Sequence, residues 1–377
     1  MTILIDGRPL VAPSAGIANF MEGSLTAWAK ACPGDIFYVA LPRPLHKTIN
    51  TSTYPSNILL VEHSNRLSRL LPNLLWLCLM MPLLARRLKA AVYYSPLPCL
   101  PYLLPRSMKT IIVVHDVVNL EFQHTMQWTN KLSNALFFNR SVRQADILWT
   151  NSQYTKRKVE QYFPQRRCSD IFTGCSVNRS IYRPLCLSDE EKDNVRNRYG
   201  ISSRFMLFVG SLEPRKNLSF LLSLMPTLYY KHHLQLVVVG GRGWKNSPLS
   251  QVVNAHDFPR ESTIFCGFVS NDELARLYNS ADCFVSASLN EGFGMPQLEA
   301  LLCGCPIVTA HNSAMIEVAQ DKDGATTVEG YDPQQWTATI VDTAIHRPQV
   351  KATQLNAYDW NVIIKNLLQA KAPFAEG

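Results

Sequence analysis

The sequence predicts an α/β protein of two domains, each a doubly wound parallel sheet, and three observations carry that prediction. The chain has 377 residues, room for about two domains at roughly 150 residues apiece. Short apolar runs recur along it, each followed by a loop and a helical stretch. These runs are continuous rather than alternating, as expected of strands buried on both faces of a parallel sheet.

The first-half strands are read at TILID, IFYVAL, AVYYSP, TIIVVHD, DILWTNS and DIFTG, and the second-half strands at RFMLFVGS, LQLVVVGG, TIFCGF, DCFVSAS and PIVTA. Charge divides the chain as well. Residues 1–183 hold 21 Lys and Arg against 9 Asp and Glu, leaving 16 against 20 for the remainder. The boundary is therefore expected near residues 183–200, where RPLCLSDEEKDNVRNRYG passes from basic to mixed charge without a strand. This gives domains of 1–183 and 184–357.

A basic half suits nucleic acid, anionic lipid or a phosphorylated substrate. No zinc-finger, RRM, KH or helix-turn-helix signature accompanies it, so nucleic acid is not expected as a partner. Hydrophobic residues at 47% and charged residues at 18% exclude wholesale disorder. The ten cysteines form no CxxC pair, and the chain opens on a strand with no signal-peptide pattern. Reduced thiols and a cytoplasmic location are the expectation.

The run LLPNLLWLCLMMPLLA, near residues 70–85, is interrupted by Pro72, Asn73 and Pro82. It falls short of the roughly 20 apolar residues that a membrane span needs. Two readings stay open. It is a core helix, or an interfacial anchor with Arg66 and Arg69 ahead of it and Arg86, Arg87 and Lys89 behind.

Ligands of doubly wound sheets bind beyond the carboxyl ends of the strands, so two facing domains would share an interdomain cleft. The sharpest signal there is LNEGFGMPQLEALLCGCP, residues 289–306, directly after DCFVSAS. Gly292 and Gly294 permit a turn with exposed N–H groups, Pro296 suits the start of a helix, and Gly304 ends it. Such a helix start is an anion cradle. Glu291 and Glu299 stand on either side of it, placed to accept from sugar hydroxyls. FVGSLEPRKNL, residues 208–218, brings Arg215 and Lys216 to another helix start, where the dipole disfavours cations unless an anion such as pyrophosphate holds them. TIIVVHD ends in His115 and Asp116, where a lone histidine is as often a satisfied core group as a site residue. Gly16, in APSAGIANF, offers a close-approach position. No His/Cys/Asp cluster has metal spacing. Walker A, GxSxG and GxGxxG patterns are absent, and GGRGW at 240–244 stops short of the last.

The order and spacing of FVGSLEPRKNL, VVVGGRGW, the long block ending in EGFGMPQLEALLCGCPIV, and HNSAMIEVA resemble the C-terminal domain of glycosyltransferase family 4. The likeness continues upstream through YYSP, VVHDVV and TNSQYTKRKV, and ends in YDW. It implies a GT-B architecture whose last helix, 358–377, crosses back to complete the first domain. It also implies retaining transfer from a nucleotide-sugar, with no metal or other cofactor. By the same resemblance, Glu299 binds the donor ribose, Glu291 the donor sugar, and the backbone of Gly292, Phe293, Gly294 and Met295 the sugar and phosphate. Arg215 and Lys216 neutralise the departing diphosphate, His115 meets the sugar near its C6 hydroxyl, and Gly16 lets an acceptor-side loop approach the phosphate.

This chain departs from the family at Ser211, where many members carry Arg, and at Ser176, in the place of an Asp. WLCLMMP also replaces a mixed polar segment. No unassigned carboxylate is placed as a nucleophile, which favours front-face substitution over double displacement. Subfamily resemblance points to mannose from GDP-mannose, with UDP- and dTDP-linked sugars as alternatives. The expected acceptor is a glycan or a lipid-linked molecule at an anionic inner membrane face, as in O-antigen synthesis. Rival readings are a nucleotide-sugar epimerase and a non-catalytic two-domain sugar-binding protein.

Overall fold

The computed structural model describes residues 1–11, 15–62, 72–117, 137–168, 170–241, 248–253 and 255–370. Arg66, Arg69, residues 242–244 of the GGRGW stretch and the last seven residues of the expected C-terminal helix lie outside them. The chain divides into two compact units, Met1–Ser176 with Ala357–Gly377, and Val177–Asn356.

The first unit is built on a seven-stranded sheet. Its strands are β1 (Thr2–Asp6), β2 (Ile36–Leu41), β3 (Ile58–Glu62), β4 (Val92–Ser95), β5 (Lys109–Val114), β6 (Ile147–Thr150) and β7 (Ile171–Thr173). They lie in the order 3-2-1-4-5-6-7, and every pairing is parallel. The second unit holds β8 (Arg204–Val209), β9 (Leu234–Val239), β10 (Thr263–Gly267), β11 (Cys283–Ser286), β12 (Ile307–Ala310) and β13 (Ala325–Val328). Their order is 10-9-8-11-12-13, again parallel throughout. Each order reverses once, between β1 and β4 and between β8 and β11. Strand order reversal opens a crevice at the carboxyl ends.

The helices that bear on the site and the core are α1 (Ala15–Ala31), α2 (Asn73–Arg87), α3 (Gln153–Tyr162), α4 (Leu218–His232), α5 (Asn271–Ser280), α6 (Met295–Leu302) and α7 (Trp360–Ala370). α7 packs on α1 in the first unit. The contact is close because position 23 is glycine: a Cβ there would fall 2.1 Å from the Trp360 indole nitrogen. Trp360 sits edge-on to Phe20, ring centroids 5.0 Å apart.

The divide between the units falls at Ser176, ahead of the charge boundary at 183. Ser176 donates its hydroxyl to the Tyr358 carbonyl in the first unit. Tyr182 packs edge-on against Tyr278, and the Leu185 N–H donates to the Asn279 side chain, both in the second. Packing, not charge, decides where residues 177–185 belong.

The apolar run forms a helix over residues 73–87 with one buried face and one exposed face. As α2 it buries Trp76, Leu77, Met81, Leu84 and Ala85 in the core of the first unit. Leu75, Leu79 and Leu83, one helical turn apart, are 46%, 46% and 56% exposed. Among the described residues no helix is long and apolar enough to cross a membrane.

Candidate functional site

The second sheet reverses between β8 and β11, and the loops leaving those two strands carry the cations and the first carboxylate. After β8 the chain makes a single 3-10 turn over Pro214–Lys216, and Asn217 adopts a left-handed conformation before α4 begins. After β11 it runs through residues 287–294 into α6. The two loops are tied by the Leu289 N–H donating to the Arg215 carbonyl at 2.8 Å.

Across that tie, Lys216 Nζ lies 2.5 Å from Glu291 Oε1, and Arg215 Nη1 lies 3.1 Å from Oε2. Arg215 Nη1 also donates to the Asn290 carbonyl. The cations expected to require an anion at the α4 start therefore find one within the chain. Burial pushes the Glu291 carboxyl up, but Lys216 and Arg215 together hold it below the usual carboxylate range. The loop after β12 fixes the Glu291 backbone: its N–H donates to Ser313 Oγ at 3.0 Å, and Asn312 donates to the Ser288 carbonyl. Asn312 and Ser313 lie in the HNSAMIEVA motif, but the motif assigned them no role, and 24 and 22 residues separate them from these partners.

Gly294 has φ +92° and precedes the first residue of α6, giving the glycine turn that the sequence predicts. Gly292 and Phe293 are buried in it, and Met295 is half-buried. Glu299, in the same helix, is 5% exposed and accepts a 3.0 Å hydrogen bond from the Tyr278 hydroxyl of α5. Burial raises its carboxyl to about 7, against the opposing pull of that hydrogen bond. Glu299 therefore stands apart from the ion-paired Glu291: one carboxylate is held charged, the other is poised to titrate. Ser211 is exposed in the loop after β8.

His115 and Gly16 belong to the first unit. His115, just beyond β5, donates from Nε2 to the Pro96 carbonyl at 2.9 Å and packs edge-on against Phe20. Because a carbonyl only accepts, Nε2 carries the proton and Nδ1 is left as the acceptor. Burial lowers its pKa, so the ring is neutral near pH 7. Gly16 is half-buried near the start of α1. At the reversal point of this sheet, the sequence showed no sign of a buried pair: Arg8 makes a two-pronged contact with Asp6, which also accepts from Ser95. Among the described residues no group of three or more His, Cys, Asp or Glu is placed to hold a metal ion.

Residues 191–359 match the family described as glycosyl transferases group 1. O-antigen chain mannosyltransferase B of Escherichia coli is 30% identical over 244 residues, which are 63% of this chain and 61% of that protein. This chain thus spans less than two thirds of that relative's length. Among solved structures, sucrose-phosphate synthase from Thermosynechococcus elongatus superposes with a TM-score of 0.72 at 14% identity, covering 98% of both chains. HepE from Anabaena, solved in complex with UDP-glucose, gives 0.63 at 17% identity over 98% of this chain and 95% of its own. With two Rossmann-like sheets in one chain, the fold is GT-B.

Proposed function

We propose that this protein is a retaining glycosyltransferase that moves a hexose, mannose from GDP-mannose in the first instance, onto a glycan or lipid-linked acceptor. The observation that carries the reading is the Lys216–Glu291–Arg215 cluster at the strand reversal, with Glu299 buried in the helix beyond it. It lies within the segment that matches glycosyl transferases group 1. The mannose assignment is supported by the mannosyltransferase relative, and a nucleotide-sugar donor by the UDP-glucose held in HepE.

In this reading Glu299 accepts from the ribose hydroxyls and Glu291 from the transferred sugar. The glycine turn supplies N–H groups to sugar and phosphate. Arg215 and Lys216 take up the charge of the departing diphosphate, the task a metal performs in other transferases. Positive charge aimed at the leaving group favours front-face substitution. The bond from C1 to the diphosphate breaks, the acceptor oxygen bonds to C1 from the same side, and the acceptor proton passes to a departing phosphate oxygen. The roles that resemblance gives to Gly16 and His115 remain part of the proposal, and Ser211 lines the donor side where many relatives carry Arg.

The exposed leucines of α2 support a membrane-facing acceptor. Arg86, Arg87 and Lys89 are exposed at the end of that helix, and Arg86 donates to the carbonyl of Leu103, itself 62% exposed. Apolar side chains rimmed by cations suit an anionic lipid surface.

The test is a thermal-shift screen over GDP-, UDP- and dTDP-linked sugars, followed by a transfer assay. The proposal expects stabilisation by one donor class and release of nucleoside diphosphate only when acceptor is added, with the anomeric configuration kept. Conversion of donor without acceptor would instead support an epimerase. Binding without any turnover would support a sugar-binding protein.

A further inference from the structure

The side-chain amide of Gln297 has no hydrogen-bond partner at either end among the described residues, although the residue is 1% exposed. It occupies the first turn of α6, between Glu291 and Glu299. It lies directly behind the glycine turn: a Cβ at Gly294 would fall 3.0 Å from Nε2 and 3.3 Å from Cδ. Its own backbone N–H is already used, donating to the Gly294 carbonyl.

A buried amide with neither end paired is costlier than an apolar side chain of the same size. Leu298, Leu301 and Leu302 of the same helix are apolar and buried. Nothing in the packing asks for an amide here, and glycine at 294 is what leaves it room against the turn.

The unmet chemistry specifies its own complement. Nε2 offers hydrogens and Oε1 offers lone pairs, side by side. A phosphate oxygen only accepts and would leave Oε1 unpaired. A pair of neighbouring hydroxyls donates and accepts at once, which satisfies both ends. We infer that Gln297 is a sugar-recognition residue, its amide pairing with adjacent hydroxyls of the transferred hexose as the Gly292–Gly294 turn shifts to admit them. This rests on the donor-site reading above and assigns that site a further contact.

The variant Gln297→Leu tests it, with binding of GDP-mannose, UDP-glucose, GDP and UDP measured by calorimetry and thermal stability measured without ligand. The expected result is a melting temperature no lower than wild type and about tenfold weaker binding of the nucleotide-sugar that wild type prefers. The matching nucleoside diphosphate should bind as before. Unchanged nucleotide-sugar affinity in the folded variant overturns the inference, because the amide then serves only an internal water. Equal loss for nucleotide-sugar and nucleoside diphosphate overturns it too, since the turn as a whole is then disturbed. If the leucine variant does not fold, Gln297→Met, which keeps the unbranched shape, is read in the same way. A wild type that binds none of the four ligands and no dTDP-linked sugar rejects the donor-site reading, and this inference with it.

Discussion

Lys216 Nζ and Glu291 Oε1 stand 2.5 Å apart, joining the loop after β8 to the loop after β11. Seventy-five residues of sequence separate the two, and the strand reversal removes that separation. The pair gives Lys216 an internal anion where the proposed function seats a diphosphate. Donor binding then exchanges one anionic partner of Lys216 for another, rather than discharging a bare cation.

Replacing Arg215 and Lys216 together by Ala is expected to lower turnover by at least about 10³-fold, from two lost cations beside the leaving group. It also leaves Glu291 buried without counter-charges, which costs about 3–5 kcal/mol of stability. Because the folded Glu291 carboxyl lies below its usual range, wild type gains stability above that range and loses it as pH falls through the folded value. The variant should show less of this acid loss in its melting temperature. Wild-type turnover should survive EDTA; inhibition by chelator that magnesium or manganese reverses would overturn the metal-free proposal.

Glu299 titrates in the opposite sense. Its carboxyl is raised to about 7, so the folded state holds the proton more tightly and this group's contribution to stability declines between about pH 4.5 and 7. Glu299→Gln should be more stable than wild type by about 3 kcal/mol above pH 7, an advantage that fades toward pH 5. Donor KM in wild type should fall as pH rises through about 7, when the carboxylate is free to accept from ribose. Tyr278→Phe removes the hydrogen bond that opposes the rise and should move that inflection upward. A donor KM that is flat from pH 5.5 to 8.5 would count against the ribose assignment.

On α2 the buried and exposed faces separate in their effects. Trp76 is fully buried, and Trp76→Ala should cost about 3–5 kcal/mol. Leu79→Ser with Leu83→Ser should shift stability by no more than about 0.5 kcal/mol each, yet weaken flotation with anionic vesicles. Replacing Arg86, Arg87 and Lys89 by Gln should weaken it about 10²-fold, at roughly 1 kcal/mol per charge. Absence of wild-type binding to such vesicles at physiological salt would remove the membrane from the proposal.

Gly23→Ala forces a methyl onto the Trp360 ring and should destabilise by about 1–3 kcal/mol. Trp360→Ala costs more on its own, but the pair should cost less than the sum, since removing the ring makes room for the methyl. Additive melting shifts would show that α7 does not seat on α1 in this way.

The fold was legible wherever strands were continuous and apolar. β13 escaped notice because Thr326 and Thr327 leave it no apolar run, while β3 was passed over although ILLV is one; edge position explains neither, since the edge strands β7 and β10 were read. The glycine turn and the α6 start were legible because backbone conformation there depends on local residue type. The ion pairs of Glu291 were not, since they depend on which strands the sheet makes neighbours. Gln297 escaped for a related reason: a polar residue in an apolar helix looks unremarkable until its surroundings show that nothing pairs with it.

The return of α7 to the first unit sets an order on biosynthesis. When residues 1–176 have left the ribosome, the groove beside Phe20, Gly23 and Trp149 still lacks the Trp360 ring that fills it. Residues 177–356 must be translated first, which takes roughly 10–40 s at about 5–20 residues per second. The second unit, contiguous in the chain, can begin folding within that interval. The unit begun first is thus completed last, and its aromatic groove is the nascent surface that a chaperone would have reason to hold.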